Sequence, residues 1–257
     1  MEQSASVPAW LASCRDETVV HYKTSRYHLD CLVADLLGVQ PADLPRLHRV
    51  PLAEIRWPIH PLLARAFKRA KLHQPMPPAA VQTHYGDQAQ RNDPRQQRFL
   101  AAFRKLCAEV VAPSCGGATQ RIVVQMPPTI RLSLPGSPAT IGLHSDQVYP
   151  NHTAAEVNWW LPLTPVYESN SLWLESRPGA EDYRPVTLSP GEALRFNGHE
   201  CRHFTVANET DTSRVSLDWR AVPEELACGT LTRIGEFGEV ALVEASPVVD
   251  DHNVQGV

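Results

Sequence analysis

Residues 144–161 read HSDQVYPNHTAAEVNWWL, residues 188–203 read LSPGEALRFNGHECRH, and residues 214–220 read RVSLDWR. The first stretch places His144 two positions before Asp146, and the last places Arg214 two positions before Ser216. Side chains two positions apart in a strand point to the same face of a sheet. Short apolar runs separated by proline, glycine and asparagine are typical of strands joined by turns. The three stretches therefore predict strands that carry paired polar side chains toward a common site.

The spacing of apolar residues changes to a period of two after residue 117, which is the period of a strand. Strands are predicted at residues 121–125, 129–134, 140–143, 156–161, 171–175, 193–196, 203–207 and 214–221, with one more at 239–243. No segment long enough for a connecting helix separates them, which favours two packed sheets over a sheet of βαβ units. We therefore predict a mainly β fold with a double-stranded β-helix, or jelly roll, at its core.

Helical patterns precede this region. Leu29–Leu37 has apolar side chains at helical spacing and stops at Gly38, a residue suited to the end of a helix. Asp93 is suited to cap a helix over 94–111 that begins with a proline. A further amphipathic helix is predicted over 61–72.

These patterns divide the chain into three parts of one domain. Five prolines between residues 41 and 61 exclude a long regular element there, because proline removes a backbone donor and fixes φ. We expect residues 1–118 to form an α-helical lobe and lid, residues 119–223 to form the jelly-roll catalytic core, and residues 224–257 to form a C-terminal extension.

Composition limits the functional classes. The chain has 257 residues, 43% of them hydrophobic, and a formal net charge of -4, which argues against nucleic acid as a partner. No apolar run approaches the roughly 18 residues that a membrane span needs, and the first residues lack the features of a signal peptide, so we expect a cytoplasmic protein. The six cysteines are scattered without a C-x-x-C pair, so neither a zinc cage nor a disulfide framework is predicted.

Two histidines and one carboxylate can occupy one face of an octahedral Fe(II) and leave three positions open. His144 and Asp146 are candidates for two of these ligands because a strand end would point both to one face. The third ligand must come from a neighbouring strand, where His199 and His203 are both available. We choose His203, because it begins a predicted strand, whereas His199 follows a turn signal and is the alternative.

Arg214 and Ser216 make a second candidate site. A guanidinium and a hydroxyl on one face of a strand can bind the carboxylate of a 2-oxo acid that is held on the metal. The alternative is that Arg214 forms an ion pair with Asp218 or Glu200. Asp218 and Arg220 continue the same face, and we expect them to leave the cavity.

Three further polar residues are candidates for the cavity wall. Asn158 alternates with two tryptophans on a predicted strand, so it either contacts the co-substrate or has a structural role. Arg131 lies on a strand that should border the cavity, where it would bind the co-substrate or the substrate, or face solvent. His152 lies in the loop after Asp146 and is suited to contact the substrate.

The order His-x-Asp followed by His-x10-Arg-x-Ser resembles that of the Fe(II)/2-oxoglutarate-dependent oxygenase superfamily. Residues 131–223 are similar, more specifically, to the antibiotic-biosynthesis oxygenases of the streptomycin, hygromycin and orthosomycin pathways. The resemblance implies Fe(II) ligation by His144, Asp146 and His203, with Arg214 and Ser216 on the distal carboxylate of 2-oxoglutarate. An aspartate at the second ligand position also disfavours halogenation, because iron halogenases of this superfamily have a small residue there.

The same resemblance implies a function. It predicts an oxygenase that uses O2 on a small carbohydrate or aminocyclitol-containing natural product, such as an oligosaccharide or aminoglycoside. The outcome would be hydroxylation or oxidative cyclisation to an orthoester or a methylenedioxy bridge. Two alternatives stay open: a cupin-like metalloenzyme that does not use 2-oxoglutarate, against which the Arg-x-Ser pair argues, and a non-catalytic sugar-binding jelly roll.

Overall fold

One ten-residue strand, β9 (Arg214–Pro223), is at the centre of the structure. The computed structural model describes residues 8–51, 54–55, 63, 66, 93–115, 117–227 and 240–248. Its helices are α1 (Ala9–Arg15), α2 (Thr24–Tyr27), α3 (Leu29–Leu37), a 3-10 helix (Pro41–Arg49), α4 (Pro94–Leu106), a π-helical turn (Cys107–Val111) and α5 (Ala112–Cys115). Its strands are β1 (Thr18–His21), β2 (Arg121–Gln125), β3 (Thr129–Ser133), β4 (Val157–Pro162), β5 (Trp173–Leu174), β6 (Arg184–Pro185), β7 (Glu192–Phe196), β8 (His203–Phe204), β9 (Arg214–Pro223) and β10 (Val240–Glu244).

These strands form two antiparallel sheets. The larger sheet has seven strands in the order β1-β7-β4-β9-β2-β10, with β3 also paired to β9, and the smaller has the order β6-β5-β8. On one edge of β9, β3 pairs with the first half and β2 with the second, while β4 pairs along the other edge. The structure is therefore mainly antiparallel β with some helices, which confirms the coarse fold prediction.

The two faces of β9 differ in character because its residues alternate. Val215, Leu217, Trp219 and Ala221 belong to a large hydrophobic core that also includes side chains of α1, α3, α4 and β2. The alternate positions carry the polar side chains Arg214, Ser216, Asp218 and Arg220. The helices thus cover the apolar face of the large sheet, and the polar face is left for another purpose.

A second, smaller hydrophobic core lies on the polar side of β9. It joins Trp160 of β4, Leu194 and Phe196 of β7, and Leu174 of β5. Trp160 is directly paired with Asp218, and directly paired residues of adjacent strands point to the same face. The polar residues of β9 therefore lie beside this core, between the large sheet and the small one.

The predicted elements agree with the structure where local pattern decides them. The strand predicted at 121–125 and the helix Leu29–Leu37 are found with those bounds, and Gly38 adopts a left-handed φ of 76° at the helix end. The Asp93 side chain accepts a hydrogen bond from the Arg95 amide at 2.8 Å, as expected of a helix cap. No described helix is both long and apolar enough to span a membrane.

Other predictions differ from the structure. Residues 140–143 do not form a strand, although Ile141 accepts a hydrogen bond from the Thr205 amide at 3.1 Å. Strand β1, within the region predicted to be helical, pairs with β7 and was not predicted. The helix predicted over 61–72 lies outside the described residues except at Leu63 and Ala66, both of which are buried. The separate helical lobe and the lid stay predictions.

Candidate metal centre and anion site

Backbone hydrogen bonds bring the two candidate histidine ligands together. The His144 amide donates to the His203 carbonyl at 3.2 Å, and the His203 amide donates to the His144 carbonyl at 2.8 Å. The Asp146 amide donates to the Gly198 carbonyl at 2.9 Å. The segment before β8 thus holds the His144-Ser145-Asp146 segment alongside it, and the two imidazole centroids lie 4.4 Å apart.

The side chains of His144, Asp146 and His203 converge on one point. The Oδ1 atom of Asp146 lies 3.5 Å from His144 Nε2 and 3.8 Å from His203 Nε2. The other ring nitrogen of each histidine lies near a backbone carbonyl, with His144 Nδ1 2.8 Å from Gly142 O and His203 Nδ1 3.1 Å from Cys201 O. An Nδ1–H bonded to a carbonyl leaves Nε2 with its lone pair, which is the form that binds a metal. These three residues could hold a metal ion.

His199, the alternative distal ligand, faces elsewhere. Its Nδ1 atom lies 3.7 Å from Glu156 Oε1, and it is absent from the converging set. Burial lowers the pKa of His203 to about 4 despite the nearby Asp146 carboxylate. His203 is therefore neutral at physiological pH, as ligation by an imidazole requires.

The second oxygen of Asp146 is fully engaged by the protein. Oδ2 accepts hydrogen bonds from Arg220 Nε at 2.9 Å, Arg220 Nη2 at 2.8 Å and Asn158 Nδ2 at 2.6 Å. Burial disfavours the charged carboxylate, but Arg220, followed by the histidines, outweighs burial and holds the pKa of Asp146 well below its usual range. Asp146 is thus ionised, with Oδ2 tied to the protein and Oδ1 facing the histidines.

Asn158 and Arg220 have positions that the sequence did not reveal. Asn158 was a candidate contact for the co-substrate, and the structure places its amide on the Asp146 carboxylate. Arg220 and Asp218 were expected to leave the cavity, and this expectation is wrong: both line a cavity with His144 and His203. The reason is the register of β4 against β9, which pairs Asn158 with Arg220 and turns the whole polar face inward.

Arg131 also lines this cavity, and it is bound to Asp218. Its Nε and Nη2 atoms both donate to the Asp218 carboxylate, the second at 3.2 Å. Arg220 Nη1 donates to the same carboxylate at 3.0 Å. Asp218 therefore bridges two arginines, and burial is outweighed first by Arg131 and then by Arg220, so that its pKa is lowered.

Arg214 is different because the described residues give it no carboxylate partner. It is 1% exposed, and its Nη1 atom donates to the Asn170 carbonyl at 2.9 Å. Its Nε atom and the Ser216 hydroxyl are both buried without a hydrogen-bond partner. The ion pair considered from the sequence is not observed, since Asp218 binds Arg131 and Arg220. Burial, together with Arg131, lowers the pKa of Arg214 to about 10, so the guanidinium is still charged at neutral pH.

Glu156 was not singled out by the sequence. It is fully buried just before β4, and its carboxylate lies 2.9 Å from His152 Nδ1. Burial opposes ionisation, but the hydrogen bond with His152 and the nearby His199 imidazole outweigh it and lower the pKa of Glu156. The only signal in the sequence was the separation of four residues between His152 and Glu156. Asp146, His152 and Glu156 also lie close enough to hold a metal, but the Oδ2 of Asp146 that faces His152 is already occupied by Arg220 and Asn158.

A larger cavity of about 520 Å³ opens beside the metal centre. His144, Asp146 and Arg220 form its base, and Tyr149 and His152 lie on its wall. With Nδ1 directed at Glu156, His152 has Nε2 left for a molecule in this cavity. Tyr149, which lines this cavity, is 52% exposed.

Comparison with known proteins gives one informative relative. The chain is 34% identical over 131 residues to the streptomycin biosynthesis protein StrG of Streptomyces griseus, a match that spans 48% of this chain and 62% of StrG. The chain thus matches less than two thirds of that curated relative's length. No protein-family model matches the chain.

Among solved structures, SnoN, a non-heme α-ketoglutarate-dependent epimerase from nogalamycin biosynthesis, is similar with 15% identity and a TM-score of 0.46, covering 95% of this chain and 98% of SnoN. SnoK, a non-heme α-ketoglutarate-dependent carbocyclase from the same biosynthesis, has 14% identity and a TM-score of 0.41, covering 58% of this chain and 73% of SnoK. Both TM-scores are low, so these likenesses carry no argument by themselves. The relative from streptomycin biosynthesis confirms the resemblance to antibiotic-biosynthesis proteins that the sequence predicts.

Proposed function

We propose that this chain is an Fe(II)- and 2-oxoglutarate-dependent oxygenase that acts on a small-molecule natural product in antibiotic biosynthesis. The observation that carries the proposal is the buried, charged Arg214, to which the described residues give no carboxylate partner, beside the Ser216 hydroxyl, which has no hydrogen-bond partner among them. Arg214 lines the same cavity as the two histidines. A buried cation without an anion is costly. An anionic co-substrate would remove that cost.

The donor set fits Fe(II). His144 and His203 offer their Nε2 atoms, and Asp146 offers Oδ1. Two nitrogens and one carboxylate oxygen on one side of a metal leave three coordination positions, which suits Fe(II) in oxygen chemistry. The protein-bound oxygen of Asp146, Oδ2, keeps the carboxylate in place before a metal arrives.

The anion site fits the distal carboxylate of 2-oxoglutarate. Arg214 Nε and Ser216 Oγ are buried donors on this face of β9 that have no hydrogen-bond partner among the described residues. A guanidinium and a hydroxyl together make charge-assisted hydrogen bonds to one carboxylate. We propose that Arg131, bound to Asp218, adds positive charge beside this carboxylate, and that Asn158 acts on the metal ligand rather than on the co-substrate.

The charges around the site favour the binding of Fe(II) and 2-oxoglutarate together. Three arginines and three ionised carboxylates line the two cavities or, in the case of Glu156, lie next to Asp146: Arg131, Arg214, Arg220, Asp146, Glu156 and Asp218. A divalent cation alone would leave an uncompensated charge in a buried site, which is unfavourable. A dication together with a dianion adds no net charge, so each should improve the binding of the other.

When bound, Fe(II) with 2-oxoglutarate would use O2 to hydroxylate a substrate C–H bond, and 2-oxoglutarate would be converted to succinate and CO2. The protein supplies orientation and a cavity from which water is excluded. We propose that the substrate enters the 520 Å³ cavity, with Tyr149 and His152 on its wall, and that the two sheets form a jelly roll around the centre. The relative in streptomycin biosynthesis supports a carbohydrate or aminocyclitol-containing substrate, hydroxylated or oxidatively cyclised.

A titration of 2-oxoglutarate tests this proposal. Anaerobic addition of Fe(II) and 2-oxoglutarate should give the weak visible absorption of the chelate. Arg214→Ala should raise the half-saturation concentration by about a hundredfold or more, because losing a desolvated partner of a charge costs roughly 2 to 5 kcal/mol. Arg214→Lys should recover only part, since a point charge cannot reproduce the planar fork. Fe(II) binding without absorption or succinate formation would favour a metalloenzyme that does not use 2-oxoglutarate.

A further inference from the structure

We propose that Arg220 is a positioning residue that restricts Asp146 to a single metal-facing oxygen and so keeps three coordination positions open. The inference rests on the proposed function, because it assigns Asp146 as a metal ligand. It concerns a contact that a generic two-histidine, one-carboxylate site does not need. Arg220 donates two hydrogen bonds to one oxygen of Asp146, from Nε at 2.9 Å and from Nη2 at 2.8 Å.

The two oxygens of Asp146 have different surroundings. Oδ2 accepts three N–H groups, two from Arg220 and one from Asn158. Oδ1 has two histidine Nε2 atoms within 3.8 Å, and both of those nitrogens are acceptors if their Nδ1 atoms carry the hydrogens. Oδ1 is therefore the oxygen left for a cation, and Oδ2 could bind one only by giving up its hydrogen bonds.

Arg220 is itself held in position by several contacts. It is 8% exposed, and its Nη1 atom donates to Asp218 at 3.0 Å, so three of its donors are fixed by two carboxylates. Asp218 is held in turn by Arg131. Rotation of Asp146 toward two-oxygen coordination would break a charge-assisted contact in a buried site, where such contacts are strong.

Removing Arg220 would change how Asp146 binds a metal. The Oδ2 atom of Asp146 would keep only the Asn158 amide as a donor and would lose its counter-charge, and a divalent metal beside it is the nearest replacement for that charge. Asp146 would then bind through both oxygens and fill one of the three open positions. A 2-oxo acid needs two positions and O2 needs one, so this loss would remove the place for O2.

Counting water molecules on Mn(II) tests the inference without any turnover. Mn(II) would be loaded into the full chain, and coordinated waters would be counted from the broadening of the Mn(II) electron paramagnetic resonance lines by H2¹⁷O. We expect three waters in the wild type and two in Arg220→Met. After addition of 2-oxoglutarate, we expect one water in the wild type and none in Arg220→Met.

Arg131→Met is the matched control. It removes an arginine from the same cavity and from the same Asp218 carboxylate, but Arg131 makes no contact with Asp146. It should therefore keep three waters. Should Arg220→Met fail to fold, Arg220→Gln, which keeps a polar group beside Asp218 and no charge, carries the same expectation of two waters.

The outcomes separate this inference from the proposed function. Three waters in a folded Arg220 variant would overturn the role of Arg220, and so would loss of Mn(II) binding, because Asp146 would then need Arg220 to reach the metal at all. Two waters in Arg131→Met would assign the effect to charge rather than to contact and would also overturn it. If the wild type binds Mn(II) but 2-oxoglutarate displaces no water, the proposed function fails while the comparison of Arg220 with Arg131 still stands.

Discussion

Two arginines, six residues apart on the same face of β9, have opposite surroundings. Arg220 lies between two carboxylates of the protein and donates three hydrogen bonds to Asp146 and Asp218. Arg214 is equally buried, but within the described chain it binds only a backbone carbonyl and keeps an unpaired Nε. Their pKa values move in opposite directions: burial and Arg131 lower that of Arg214 to about 10, whereas Asp146 and Asp218 outweigh burial and raise that of Arg220.

The two ends of this face of β9 therefore differ in charge compensation: the protein neutralises the Arg220 end, whereas the described residues leave the charge at the Arg214 end without a counter-charge. At the Arg220 end, each arginine has a carboxylate partner in the protein, and this end holds the proposed metal ligand Asp146 in position. At the Arg214 end, the described residues supply a cation and a hydroxyl and no anion. Burying a guanidinium without a counter-charge costs free energy, and such an arrangement is found where a bound ligand supplies the missing charge. We therefore expect an anionic co-substrate at the Arg214 end.

The largest effect is expected at the Arg220 end, from Asp146→Ala. Removing an outer partner of a metal site typically costs about 10 to 100-fold in affinity, so removal of a direct ligand should weaken metal binding by more than about a hundredfold. Mn(II) titration by calorimetry would measure it. His199→Ala is the control, because His199 lies near the centre but faces Glu156; loss of binding in that variant would reverse the choice of His203 as the distal ligand.

The two arginines should differ in their effect on stability without metal or co-substrate. Arg220→Met leaves Asp146 without its main counter-charge, and breaking a buried pair in this way typically costs about 3 to 5 kcal/mol. Arg214→Met removes a buried cation that has no carboxylate partner in the described chain, so it should leave the free energy of unfolding unchanged or raise it. Urea unfolding of both variants decides the matter. Equal destabilisation by the two substitutions would abolish the contrast.

The sequence predicts the parts of this site that depend on local spacing. The His-x-Asp pair and the Arg-x-Ser pair are each two residues apart on one face, and β2 and α3 follow directly from apolar periodicity. The partner of Arg220 could not be predicted, because it depends on the register of β4 against β9, which brings together residues 74 positions apart in the chain. The ion pair between Arg131 and Asp218 depends in the same way on the register of β3, and the buried Glu156 had no pattern around it.

The pH dependence of stability tests whether the metal centre is preformed in the metal-free protein. The folded pKa of His203, about 4, lies below the ordinary value of 6.5. The unfolded chain therefore binds a proton first, and the stability that is full above pH 6.5 falls as the pH decreases toward 4. The carboxylates with lowered pKa values lose their contribution only at lower pH. We expect the metal-free wild type to lose about 2 kcal/mol between pH 7 and pH 5, and His203→Gln to lose much less in urea unfolding. Equal losses would place His203 in a solvated site.

The smallest expected effect concerns Gly198, which lies against the amide of Asn158. A Cβ atom at this position would lie 2.5 Å from the Asn158 amide nitrogen, so Gly198→Ala must displace the side chain that donates to Asp146 Oδ2. Arg220 would still hold that oxygen with two donors. Metal affinity should therefore fall by only about tenfold, the lower end of what loss of an outer partner costs.

Gly142→Ala is the control for this substitution. The Gly142 carbonyl lies 2.8 Å from His144 Nδ1, but a Cβ atom on Gly142 would have nothing within 4 Å. The two glycines thus lie beside different proposed metal ligands, and only a Cβ atom on Gly198 would clash with a side chain. If Gly198→Ala and Gly142→Ala bind Mn(II) equally well, Asn158 does not help to position Asp146, and the Asp146 carboxylate is held by the Arg220 guanidinium alone. If Gly198→Ala instead loses as much affinity as Asp146→Ala, Asn158 and not Arg220 is the main support of the carboxylate.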